Sequence, residues 1–141
     1  SEGLVPAESA SLAGVSGVDD GSGGMNIGVK NAGWYIVVVT TALEGKSLNY
    51  ILEFLSPDIY VTGDVSGGWD TFDDARKFTV PSGEGEFVSP AFVANGNLRL
   101  CVKLPSTDWW RTEFMVMNNK IEYRKNGGDQ EAVSVSVKKP I

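Results

Sequence analysis

A chain of 141 residues is long enough to bury a real hydrophobic core and suits one domain, or one domain with part of a neighbour. Twelve Lys plus Arg against eighteen Asp plus Glu leave a net charge of −6, which excludes the basic clusters that nucleic acid or an anionic membrane surface needs. Histidine is absent, and with it the commonest general base, the Ser-His-Asp and Cys-His arrangements and most zinc or iron sites; one cysteine cannot form an internal disulfide.

Residues 1–24 are Ser, Gly, Ala, Asp and Glu with scattered Val and Leu and no sustained period, ending in Asp19-Asp20-Gly21-Ser22-Gly23-Gly24. This composition predicts a flexible arm or inter-module linker. Alternation begins at 25–29, and Lys30-Asn31-Ala32-Gly33 makes a turn. The β-branched run 34–42 predicts a strand, with Trp34, Ile36 and Val38 on one face and Tyr35, Val37 and Val39 on the other. Apolar residues on both faces predict cover on both sides or a module junction. Glu44-Gly45-Lys46 turns the chain, and Leu48, Tyr50, Leu52 and Phe54 return as the second strand of a hairpin.

Ile59-Tyr60-Val61-Thr62 is a short strand, followed by the loop Gly63 to Asp70 and one helical turn near Asp73-Asp74-Ala75-Arg76-Lys77. Further strands are expected at 87–88 and 91–93, with Ser89-Pro90 interrupting them. Ala94-Asn95-Gly96-Asn97 predicts a hairpin turn, because Asn-Gly accepts the positive φ such turns need. Leu98, Leu100, Val102 and Leu104 form an inward stripe, with Arg99, Cys101 and Lys103 on the opposite face. Strands at 114–117, 120–124 and 133–137 close the chain. Short strands at even spacing predict an all-β, antiparallel β-sandwich of about 7–9 strands, of immunoglobulin-like or carbohydrate-binding type.

The segment most suggestive of function is Asp108-Trp109-Trp110-Arg111, after the turn formers Pro105-Ser106-Thr107. If the pair continues a strand, one ring faces the core and its neighbour faces out; Trp110 is taken as the outward ring. Both rings could equally be core or edge cover. Trp69, in a Gly-rich loop, reads as a second platform or as a core plug. An aromatic face stacks on the C–H face of a pyranose while polar neighbours bind its hydroxyls, and a few polar groups beside apolar surface are the usual make-up of a small-molecule site. Lys103 and Arg99, opposite the core stripe, suit that role; Arg111, Asp108 and Asn118 could join from adjoining loops. Tyr60 reads as core and Cys101 as a small strand residue.

Competing chemistries find less support. Asp70, Asp73 and Asp74 lack the spacing of a calcium loop and read as a solvated acidic turn. Glu84, Glu86, Glu113 and Glu122 carry no pairing that would mark two glycosidase carboxylates. Gly67-Gly68 lacks the Lys-Ser/Thr of a phosphate loop. No catalytic group, metal or cofactor is called for. The alternative to a binding module is a sandwich that only spaces or docks other modules.

The runs Ile59-Tyr60-Val61-Thr62-Gly63-Asp64 with Gly68-Trp69-Asp70, and Asn97-Leu98-Arg99-Leu100-Cys101-Val102-Lys103 with Asp108-Trp109-Trp110, resemble the modules of the SusE and SusF outer-membrane starch-binding lipoproteins. The similarity covers residues 59–137. It implies a non-catalytic, monomeric β-sandwich that binds starch-like α-glucans through aromatic platforms. It further implies a place on the outer face of a Gram-negative outer membrane, beside other glycan-uptake proteins. The N-terminal anchoring Cys of such proteins is not found here, which the resemblance reads as a fragment or mature form. A loose likeness between 23–30 and 127–138 suggests a repeat. In that reading 25–56 is the tail of a preceding repeat, or a hairpin completing the sandwich by permutation, and 57–141 is the module core.

Overall fold

The computed structural model describes residues 2–6, 15–16, 28–117, 120–124 and 135–137. Among the described residues the regular structure is all-β, with three short 3₁₀ turns at Asp64–Ser66, Asp74–Arg76 and Trp109–Arg111. The chain divides into two compact units, one of residues 1–57 with Pro81–Gly85, the other Asp58–Val80 with Glu86–Ile141.

In the first unit the predicted hairpin is present. The strands β1 (Glu2–Pro6), β2 (Val15–Ser16), β3 (Gly28–Val29), β4 (Ile36–Glu44) and β5 (Ser47–Leu55) follow in chain order. β4 and β5 pair antiparallel from Ile36↔Leu55 to Glu44↔Ser47, as the alternation of β-branched and aromatic residues favours. Phe54 is buried against Leu52 and Tyr35, the two rings meeting edge to face at 6.1 Å. Val37 and Val39 are 49% and 56% exposed, so the apolar run does not mean cover on both faces as its sequence suggests. The first 24 residues also hold two strands where none is predicted: β1 lies parallel to β5, and β2 pairs with β3. The remainder of that stretch lies outside the described residues.

The second unit is built on a five-stranded antiparallel sheet of β6 (Ile59–Thr62), β7 (Gly96–Val102), β8 (Glu113–Met117), β9 (Lys120–Tyr123) and β10 (Val135–Val137). β7 is its hub, paired with β6, β8 and β10. Directly opposed residues of an antiparallel pair point the same way, so register assigns the faces. Val61, Leu100 and Phe114 are opposed in turn and share one face. There Val61, Val65, Leu98 and Leu100 form the core, covered by Phe78, Phe92, Phe114 and Val116. Tyr60, Cys101 and Glu113 share the other face, as do Thr62 and Arg99. The predicted split of β7 into an inward stripe and an Arg99-Cys101 face is therefore the split observed.

Two local expectations fail. Residues 87–88 and 91–93 form no strand; only the isolated pair Thr79↔Val88 remains, because Ser89-Pro90 interrupts the ladder and Phe92 turns into the core. The Asn95-Gly96 signal does not make a hairpin. Gly96, at φ +138°, opens β7 where Asp64 crosses it, and a Cβ there would stand 2.5 Å from the Asp64 Cβ. The Asn97 N–H donates to Asp64 Oδ2 at 3.0 Å and holds that crossing together.

Candidate functional site

Trp69 is delivered by a closed corner after β6. Gly63 and Gly68 exchange backbone hydrogen bonds of 3.1 Å in both directions, and the Ser66 hydroxyl donates to both of their carbonyls at 2.9 and 3.0 Å. The loop is thus tied off like a miniature hairpin, and its exit direction is fixed. Trp69 follows at once, half-buried, with its rim over Gly63. Arg76 braces the loop from outside, donating from Nε to the Ser66 carbonyl at 2.9 Å and pairing with Asp73 at 2.5 Å. Asp73, nominated above within an acidic turn, is engaged in that brace.

The paired tryptophans lie on the 3₁₀ turn Trp109–Arg111, not on a strand. The Thr112 and Arg111 amides close it onto the Trp109 and Asp108 carbonyls, each at 3.0 Å. Three residues per turn put neighbouring side chains about 120° apart, so the two indoles diverge. Trp109 turns toward Trp69, its ring centre 6.5 Å away and the planes 30° apart. Its Nε1–H donates to the Asp70 carboxylate. Trp110, 39% exposed, lies against Arg111, whose guanidinium carbon is 4.8 Å from the ring centre. The ring that joins Trp69 is therefore Trp109 and not the Trp110 favoured by strand alternation.

Four rings continue one another across the second face of the sheet. Tyr60 meets Phe72 at 5.5 Å, Phe72 meets Trp109 at 5.8 Å, and Trp109 meets Trp69. Tyr60 is buried as expected, and the burial raises its phenol pKa above the ordinary value. The two predicted cations reach this row. The Arg99 guanidinium carbon is 5.0 Å from the Trp69 ring centre and Lys103 Nζ is 5.1 Å from that of Phe72. Beneath them Cys101 has no exposed surface, and burial, with the Glu113 charge adding to it, pushes its thiol up to about 12. It is no nucleophile in the folded state.

Of the residues singled out in the sequence, Trp69, Trp109, Arg99 and Lys103 come together. Trp110 and Arg111 form a separate exposed stack, and Asp108 is exposed at the head of the 3₁₀ turn. Asn118 lies outside the described residues. Sequence reasoning missed Phe72 as a link in the row and missed Asp70 as the acceptor for Trp109. Asp70 sits at φ +60°, an uncommon conformation for a residue other than glycine, and its partner is 39 positions away. Its place next to Trp69 was the available hint.

This geometry can hold a flat, hydroxyl-rich ligand: half-buried indoles for its apolar face, and a guanidinium and an ammonium for its oxygens. The SusF/SusE family of starch-specific CBMs (carbohydrate-binding modules) matches residues 58–139. The chain is also 42% identical over 137 residues to the outer membrane protein SusF of Bacteroides thetaiotaomicron, covering 93% of this chain and 27% of that protein. With the family match spanning more than half of the chain, and binding rather than catalysis as the family's function, this protein belongs to the SusF/SusE starch-specific carbohydrate-binding modules.

Proposed function

We propose that the chain binds starch-like α-glucans on the Trp69–Trp109 pair, with Arg99 and Lys103 hydrogen-bonding ring hydroxyls. The observation that carries this reading is the pair itself. Two indoles 6.5 Å apart, their planes 30° from parallel and one with its N–H anchored on Asp70, make a fixed and slightly angled pair. An α-linked glucan curves from one ring to the next, and an angled pair follows that curve better than a flat one. Trp110, Arg111 and Asn118 are proposed as outer contacts for a longer chain. The SusF of Bacteroides thetaiotaomicron is named an outer membrane protein, which supports an outer-membrane location here; other glycan-uptake proteins are proposed as neighbours there. Isothermal titration with maltoheptaose tests the reading. Saturable heat with micromolar to millimolar affinity is expected, and an absence of heat at millimolar ligand would overturn it.

A further inference from the structure

Beneath the aromatic row lies an ion cluster that the platform alone does not explain. Glu113 of β8 has no exposed surface and stands opposite Cys101 in the sheet. Its Oε1 accepts from Arg99 Nη1 at 3.0 Å and its Oε2 from Arg124 Nη1 at 2.6 Å. The Arg124 amide also donates to the Glu113 carbonyl at 2.9 Å, so Arg124 is tied to this residue through both backbone and side chain. Both arginine side chains are nearly buried, 12% exposed for Arg99 and 7% for Arg124. A buried carboxylate shared by two guanidinium groups is not a cheap way to stabilise a sheet, since an apolar side chain of similar volume does as well or better. It is, however, an effective way to hold an arginine still. Arg99 reaches from this carboxylate to the Trp69 ring, and a side chain ordered before the ligand arrives need not be ordered by it.

We infer that Glu113 is a positioning residue of the glycan site: with Arg124 as its second cation, it clamps the Arg99 guanidinium against Trp69 so that its donors are pre-set for sugar hydroxyls. This rests on the reading of the Trp69–Trp109 platform given above. Glu113 acts on the ligand through Arg99 and touches no sugar itself.

A double-mutant cycle separates this from a merely structural role. Maltoheptaose affinity is measured by titration calorimetry for the parent chain, Glu113→Gln, Arg99→Met and the pair, each at a temperature below its own melting transition by circular dichroism. Glu113→Gln is expected to weaken binding about five- to tenfold when Arg99 is present, and less than twofold in the Arg99→Met background. Should Glu113→Gln not melt cooperatively, Glu113→Asp keeps the charge while drawing the carboxylate back by one methylene, and a roughly threefold loss with the same dependence on Arg99 is expected. Equal losses in both backgrounds, or unchanged affinity while Arg99→Met weakens binding, overturns the clamp and leaves the platform standing. Unchanged affinity in Arg99→Met overturns the clamp together with the hydrogen-bonding role given to Arg99, while the tryptophan pair stands or falls on its own variants.

Discussion

Trp109→Ala lowers maltoheptaose affinity about 30-fold or more, the cost of losing an interface anchor of 2 kcal/mol or above, whereas Trp110→Ala changes it less than threefold. Trp109 touches Trp69 and Phe72 and is pinned by Asp70, so its removal takes half of the platform. It also leaves the Asp70 carboxylate without its N–H donor and Trp69 without the ring beside it. Trp110 lies exposed against Arg111, and its loss uncovers a guanidinium that water solvates well. Trp69→Ala should match Trp109→Ala, and the double replacement should add little, because either change destroys the same surface. Calorimetric titration of the four variants decides the matter. A dominant loss in Trp110→Ala would move the site onto the Trp110–Arg111 stack.

Gly63→Ala is the backbone counterpart. Gly63 sits at φ +106°, ψ −167°, a region that essentially only glycine occupies. An added Cβ would stand 2.6 Å from the Asn97 carbonyl oxygen and 3.3 Å from Trp69 Cη2. The first contact is backbone of the central strand, where Asn97 is paired with β10 and cannot give way without disturbing that ladder. Strain and clash together are expected to cost about 3 kcal/mol or more, which lowers the thermal midpoint by roughly 10 °C. Gly83→Ala is the control: nothing lies within 4 Å of its added Cβ, and its midpoint should stay within about 2 °C. Thermal denaturation followed by circular dichroism reads both. Because the Trp69 rim rests on Gly63, whatever fraction of Gly63→Ala remains folded should also bind glycan more weakly.

What could be read in advance was what depends on near neighbours. The alternation of Leu98, Leu100 and Val102 against Arg99 and Cys101 identified both the central strand and the face that carries the cations, because a strand's period of two is written directly in its residues. The β4–β5 hairpin was legible for the same reason. What escaped depends on distant partners or on a different period. The 3₁₀ turn at Trp109–Arg111 replaced a 180° step by about 120°, which exchanged the roles of the two indoles. Asp70 meets Trp109 across 39 positions, and Asp64 meets Asn97 across 33. No local pattern announces either meeting. Gly96 carried the right signal for the wrong cause: its positive φ was foreseeable, but it serves the crossing of Asp64 and not a hairpin. Glu113 shows no carboxylate partner in the sequence that would mark it as a glycosidase acid, and its partners in the fold are two arginines, distant along the chain.

The sealed thiol of Cys101 turns the protein into its own reporter. With no exposed surface and an ionisation near 12, it offers a labelling reagent almost no thiolate while the sheet is closed. Alkylation then counts openings of the strand on which the site is built. Ligand that binds only the closed form makes openings rarer by the factor 1 + [L]/Kd. Labelling at neutral pH should therefore be slow, quicken in sub-denaturing urea, and slow again as maltoheptaose is added. The chain's single sulfhydryl could thus weigh sugar binding with no reporter group introduced.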